Sequence, residues 1–155
     1  MPQTFSLSGT KLLALARAVL ERGASFRFRA VGTSMVPFIR SGDVLTLSPL
    51  RGRQPRVGDV IAFVHPVTGR MAVHRVVCAR QAAYLLRGDA VLEPDGWIRL
   101  EDILGRVTRI ERDGRRVRLG LGVERFGIAW LRRHEALWEL ARRAGRAARQ
   151  WKWVA

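Results

Sequence analysis

Between residues 26 and 119 the chain changes character every few positions. Short runs rich in Val, Ile, Leu and Phe alternate with clusters of Gly, Pro and Asp. Runs of this length bounded by turn residues read as strands. They predict strands over 26–31, 44–47, 59–64, 71–78, 83–86, 103–111 and 117–119. Turns are expected at Ser41-Gly42-Asp43, Val57-Gly58-Asp59, Thr68-Gly69, Pro94-Asp95-Gly96 and Asp113-Gly114. Many short strands with little helix between them argue for a mainly β unit with irregular pairing.

The flanks keep a different period. Leu12, Leu13, Ala16, Val19 and Leu20 recur at helical spacing, which predicts a short amphipathic helix over 8–22 that stops at Gly23. Its expected role is packing on the core, with contact to a membrane as the alternative. From Val123 onward Phe126, Trp130, Leu137, Ala141, Ala144, Ala148 and Trp151 can share one helical face. Arg132, Arg133, Arg142, Arg143, Arg146 and Arg149 supply charge around it. The expected organisation is an N-terminal amphipathic helix within 1–25, a β-rich core over 26–120, and a basic helical segment over 121–155. Gly120 to Gly122 would form the hinge.

With 155 residues the chain is long enough for one domain with a substantial core. Hydrophobic residues at 48% and charged residues at 26% read as globular rather than disordered. The formal net charge of +15 favours an anionic partner, either nucleic acid or an anionic membrane surface. Nucleic acid is the weaker expectation. No second helix completes a helix-turn-helix beside 8–22, and the arginines do not alternate with stacking aromatics. Trp130, Trp138, Trp151 and Trp153 among arginines suit a membrane interface better. Cys78 is the only cysteine, so no intrachain disulfide and no cysteine-based zinc site can form. A spanning helix needs about 20 mostly apolar residues. The best run, 12–20, is short and broken by Arg17, which also argues against a secretory leader. A cytoplasmic or peripherally membrane-associated chain is expected.

Candidate chemistry begins at Gly32-Thr33-Ser34-Met35-Val36-Pro37. A serine in such a bend can expose its hydroxyl while backbone N–H groups point at a reacting carbonyl. Alone, it is equally an ordinary serine turn. The downstream boxes are more specific: Ser41-Gly42-Asp43-Val44, then Val57-Gly58-Asp59-Val60-Ile61-Ala62-Phe63, then Val73-His74-Arg75-Val76, then Arg87-Gly88-Asp89 with Asp95 six residues on. Taken in order, these boxes resemble the signal peptidase I superfamily over about residues 26–110. The resemblance implies the complex β fold of signal peptidases and LexA-type self-cleaving repressors. It also implies a serine endopeptidase with Ser34 as nucleophile.

The base can be argued from the sequence itself. Relatives pair the serine with lysine or, in the endoplasmic-reticulum type, with histidine. Lys11 and Lys152 are the only lysines, so the core holds none, and arginine stays protonated. His74 stands at the matching position, and an imidazole suits base catalysis near neutral pH. His65, before Pro66 at an expected strand end, is the competing base and otherwise a solvent-facing residue. A third group usually orients the imidazole. The resemblance points to the two carboxylates of the last box, Asp95 first and Asp89 second, with Asp89 alternatively holding the loop around the site. Asp43 and Asp59 read as turn residues.

The same resemblance implies acyl transfer with no metal or organic cofactor. The oxyanion would be held by the Ser34 N–H and a second donor. Many relatives use a serine hydroxyl where this chain has Gly32, which leaves the Thr33 hydroxyl or another N–H. Met35 and Pro37 are expected to line the cleft, and Phe38 to pack in the core. The implied partner is a peptide or protein bound in extended form, with small residues before the cut. A non-catalytic or nucleic-acid-binding protein on the same scaffold is the alternative.

Overall fold

The computed structural model describes residues 9–134. The apolar run Val60–Val64 forms strand β3, and its successive side chains leave on opposite faces. Val60 and Ala62 join one core, while Ile61 and Phe63 join a second. A strand covered on both faces needs no polar alternation, which explains why this stretch is apolar throughout.

Around β3 run β1 (Phe26–Arg29), β2 (Val44–Ser48), β4 (Met71–Arg80), β5 (Ala83–Arg87), β6 (Gly96–Arg99), β7 (Ile103–Arg112) and β8 (Arg115–Val117). All pairings are antiparallel, in the order β1-β2-β7-β3-β4-β5-β6, with β8 on β7. The described chain is thus mainly β, one eight-stranded sheet with two helices. The long β7 bridges β2 and β3. Its buried positions run Ile103, Gly105, Val107 and then Ile110. The phase slips at the irregularity opposite Thr46 and Leu47, so one extra residue returns Ile110 to the core beside Leu45 and Leu47.

Helix α1 (Gly9–Glu21) buries Ala16 and Leu20, with Leu12 and Val19 beside them, against the core that holds β1 and β2. It ends where expected. Gly23 has φ 75°, its N–H bonds Leu20 C=O, and the Ala24 N–H bonds Val19 C=O. Those are the paired bonds of a Schellman stop.

Several expectations shift. Strand β6 is hidden in the sequence because it is only four residues long and its first, Gly96, belongs to the turn signal Pro94-Asp95-Gly96. The last strand lies at 115–117 rather than 117–119. Asp113 and Gly114 both have positive φ, 50° and 75°, forming a two-residue hairpin turn that pairs Arg112 with Arg115. Helix α2 (Arg125–Arg133) buries Ile128, Ala129 and Arg132, not the face carrying Phe126 and Trp130, which are about half exposed. The remaining residues of that expected face, Leu137 to Trp151, the arginines from 142 to 149, and Trp138 and Trp153 lie outside the described residues. Among the described residues no helix is long and apolar enough to cross a membrane.

Candidate active site

Three parts of the sheet converge on one point. His74 lies within β4, buried, opposite Ile61 of β3. Asp95 immediately precedes β6, its N–H bonded to Leu86 C=O at 2.9 Å. Ser34 sits in the turn after β1. The Val36 N–H bonds Thr33 C=O, the Phe38 and Ile39 N–H groups bond Met35 C=O, and the Val36–Pro37 peptide bond is cis. Ser34 Oγ lies 3.0 Å from His74 Nε2, and His74 Nδ1 lies 2.5 Å from Asp95 Oδ2. A carboxylate only accepts, so Nδ1 carries the proton. The neutral ring therefore turns its Nε2 lone pair to Ser34, whose hydroxyl donates. This is the arrangement in which an imidazole can take a proton from a serine.

The two carboxylates of the last box part company. Asp89 is fully buried and receives Arg75 Nε at Oδ1 (2.8 Å) and Nη2 at Oδ2 (2.7 Å). The expectation of Asp89 as a second orienting group for the imidazole is corrected: both of its oxygens are taken by Arg75. Successive residues of a strand face opposite ways, so His74 turns to Asp95 while Arg75 turns away with Asp89. Arg75 Nη1 also donates to Gly58 C=O and Gly120 C=O, both at 2.9 Å, and the guanidinium lies over the Phe38 ring. Phe38 is half-buried against this guanidinium and belongs to neither apolar core.

Gly88 connects this buried pair to Ser34 and His74. A Cβ there would stand 2.7 Å from Ser34 O and 3.2 Å from His74 Nε2. Only glycine allows loop 87–91 to lie this close. The Ala90 N–H bonds Ser34 C=O at 2.8 Å. Helix α2 holds the loop from behind. Arg132 Nη2 donates to the carbonyls of Gly88 and Val91, and Arg87 Nη1 donates to Arg132 C=O at 3.0 Å.

Both earlier Gly-Asp turns are structural, each Asp capping its own turn. Asp43 Oδ2 accepts the Arg40 N–H and Asp59 Oδ2 the Arg56 N–H. Arg112 grips Asp43 with two bonds of 2.8 Å and also donates to Phe38 C=O, which fixes the far end of the Ser34 turn. Burial pushes the Asp43 carboxyl up, but the Arg112 and Arg40 hydrogen bonds outweigh it and hold the group below its ordinary value. Glu124 behaves alike. Burial raises it, and hydrogen bonds from main-chain N–H groups, those of Gly120 and Gly122 among them, outweigh burial.

Beside Ser34 a groove of about 270 Å³ runs between the end of β1, the start of β4 and α1, with Leu12, Phe28, Met35, Met71 and Val73 among its walls. Met35 lines it as expected. Pro37, expected beside it, is not among the residues that line this groove. Thr33 is exposed beside the nucleophile. No main-chain carbonyl among the described residues accepts the Ser34 N–H.

Compared with known proteins, the chain matches no family model and no curated protein. The site therefore stands on its own geometry.

Sequence reasoning missed two functional contributors. Arg75 carried a signal, since a charged residue following a buried His74 on a central strand needs a buried counter-charge. Gly88 carried none, because its closeness to Ser34 and His74 exists only in three dimensions. His65, the competing base of the sequence reading, makes no hydrogen bond to Ser34, and its Nε2 comes within 3.6 Å of Asp95 Oδ1.

Proposed function

We propose that this chain is a serine endopeptidase resembling the endoplasmic-reticulum type of signal peptidase I, with Ser34 as nucleophile, His74 as base and Asp95 as orienting group. The observation that carries this reading is the unbroken relay from Ser34 Oγ to His74 Nε2, and from His74 Nδ1 to Asp95 Oδ2, at 3.0 and 2.5 Å. Ser34 Oγ attacks the scissile carbonyl carbon as its proton passes to His74 Nε2. The oxyanion is held by the Ser34 N–H, with the Thr33 hydroxyl as second donor. His74 then gives its proton to the departing amine, and water, activated by the same imidazole, releases the acyl group.

The groove suits an extended peptide. Strand β1 ends the sheet, and β5 pairs with β4 only from Arg75 onward, so residues 71–74 have one unpaired edge. Open edges of this kind accept an added strand through main-chain bonds, and side-chain pockets then select. A leader-type peptide with small residues before the cut is the proposed substrate. A peripheral seat on an anionic membrane belongs to the same reading. Its support is the net charge of +15 and the outward face of α2 with Phe126 and Trp130.

The test is incubation of the full chain and of Ser34→Ala with a diverse peptide pool, followed by sequencing of new N-termini. New termini after small residues, absent with Ser34→Ala, are expected. Identical products from both proteins would remove the assignment. For the membrane seat, the full chain is expected to float with anionic liposomes, and a variant with Phe126 and Trp130 both replaced by serine to float less.

A further inference from the structure

His65 stands where β3 gives way to the turn before β4. Its N–H bonds Arg70 C=O, and its C=O accepts the Gly69 N–H. The imidazole is oriented by the same turn. Nδ1 accepts the N–H of Val67 at 3.2 Å and of Thr68 at 3.4 Å. A nitrogen accepting two N–H groups presents its lone pair, so the proton of the neutral ring sits on Nε2. That nitrogen faces Asp95 Oδ1 at 3.6 Å, while Oδ2 of the same carboxylate lies 2.5 Å from His74 Nδ1. The buried Phe63 ring packs near both imidazoles, its centroid 6.2 Å from that of His65 and 5.8 Å from that of His74. The carboxylate is thus bracketed, one oxygen toward each histidine, with an aromatic wall between the rings.

We propose that His65 is a positioning residue of the site, holding Asp95 Oδ1 so that Oδ2 stays aimed at His74. The proposal rests on the reading of Ser34, His74 and Asp95 as a peptidase site. The main chain fixes Asp95 through its N–H to Leu86 C=O, a bond that does not set the torsion of the carboxylate about Cβ–Cγ. Turning would break the short bond to His74 at the moment the imidazole becomes charged. A donor on Oδ1 opposes this. At 3.6 Å the contact is longer than an ordinary hydrogen bond, and catalytic bonds of an empty site shorten in the loaded complex. His65 is therefore expected to matter most when the site is working. No hydrogen bond joins His65 to the Ser34 hydroxyl, which contacts His74 instead, so His65 acts through Asp95.

Two substitutions separate this role from plain turn capping. In His65→Asn the side-chain oxygen can still accept the Val67 and Thr68 N–H groups, but nothing reaches Asp95. In His65→Gln the amide nitrogen stands near where Nε2 was and can donate to Asp95. The primary measurement is the ring ¹⁵N spectrum of histidine-labelled protein. The His74 Nδ1 signal is expected to move in His65→Asn, whose melting temperature should stay near wild type because the turn bonds are kept, and to return toward wild type in His65→Gln. The second measurement is the rate at which a fluorophosphonate labels Ser34. It is expected to fall about tenfold to a hundredfold in His65→Asn, as for a small misplacement of a catalytic group, and to recover in His65→Gln. An unmoved His74 signal in His65→Asn overturns the proposal, whatever the labelling does. A moved signal in a protein whose wild type is never labelled overturns the peptidase reading instead and leaves the hold of His65 on Asp95 standing.

Discussion

Asp89 gives both of its carboxylate oxygens to Arg75, at 2.8 and 2.7 Å, with neither side chain exposed. The pair lies on the far side of β4 from the imidazole, and it ties loop 87–91 to the carbonyls of Gly58 and Gly120.

Asp89→Ala is expected to destabilise the fold by about 3–5 kcal/mol, the usual result of leaving one member of a buried pair charged and alone. Urea unfolding checks this through the shift in midpoint. Replacing both Arg75 and Asp89 by leucine should recover most of the loss, since apolar packing removes the unpaired charge. If the double variant is as unstable as Asp89→Ala, the loss has another origin.

Asp95→Asn has the opposite signature. Its partner is the His74 ring rather than a buried guanidinium, so the melting temperature should barely move. Turnover should fall about ten-thousand-fold, as in other triads where the orienting carboxylate becomes an amide. Steady-state kinetics with a cleaved peptide measure it, and the loss should appear in kcat rather than in KM.

Gly88→Ala tests the closest approach in the site. The added methyl would meet Ser34 O at 2.7 Å and Val91 Cγ2 at 2.9 Å. Because Ser34 O is backbone, it cannot swing aside as a side chain would. The nucleophile and loop must separate, and a displacement of about 1 Å is enough to lower the rate about a hundredfold. Fluorophosphonate labelling of Ser34 reports the change, and circular dichroism shows whether the sheet survives.

Acid stability should depend on Asp43. Its carboxyl is held below 3.8 in the folded protein, burial being outweighed by Arg112 and Arg40. A carboxyl depressed by folding contributes its full stabilisation above the unfolded value and loses it as pH falls through the folded one. The melting temperature should therefore drop as pH falls below 3.8. Asp43→Asn should lower stability at pH 7 by about 1–3 kcal/mol and flatten that acid slope. Glu124 contributes with the same sign. Melting curves from pH 7 to about 2 decide the matter, and an unchanged slope in Asp43→Asn would assign the acid sensitivity elsewhere.

Much of this is legible in the sequence, and the reasons for the rest are physical. The β-rich core and the stop of α1 at Gly23 emerge from period and turn chemistry. Ser34 and His74 can be paired on paper because the core has no lysine. The resemblance ranks Asp95 before Asp89, but the residues alone do not tell their roles apart. Their fates depend on which face of β4 each reaches, and His74 and Arg75 differ by one residue and hence by one face. The turn at Gln81 and Ala82 carries no Gly, Asn or Asp, yet both residues have positive φ, 47° and 34°. There the pairing of Arg80 with Ala83 imposes the turn on residues that do not announce it. The inward face of α2 departs from its pattern because Arg132, charged, is nearly fully buried while Trp130 is half exposed. Charge predicts exposure only until a cluster of carbonyls offers a better solvent than water.

The grip of Arg132 on loop 87–91 also sets an order of events during synthesis. Loop, serine turn and imidazole are all translated before α2, so a growing chain can pair its strands while the loop beside Ser34 still lacks its brace. The last described element to leave the ribosome is the one that clamps the site. A nascent chain thus carries Ser34, His74 and Asp95 before Arg132 can brace the loop beside them.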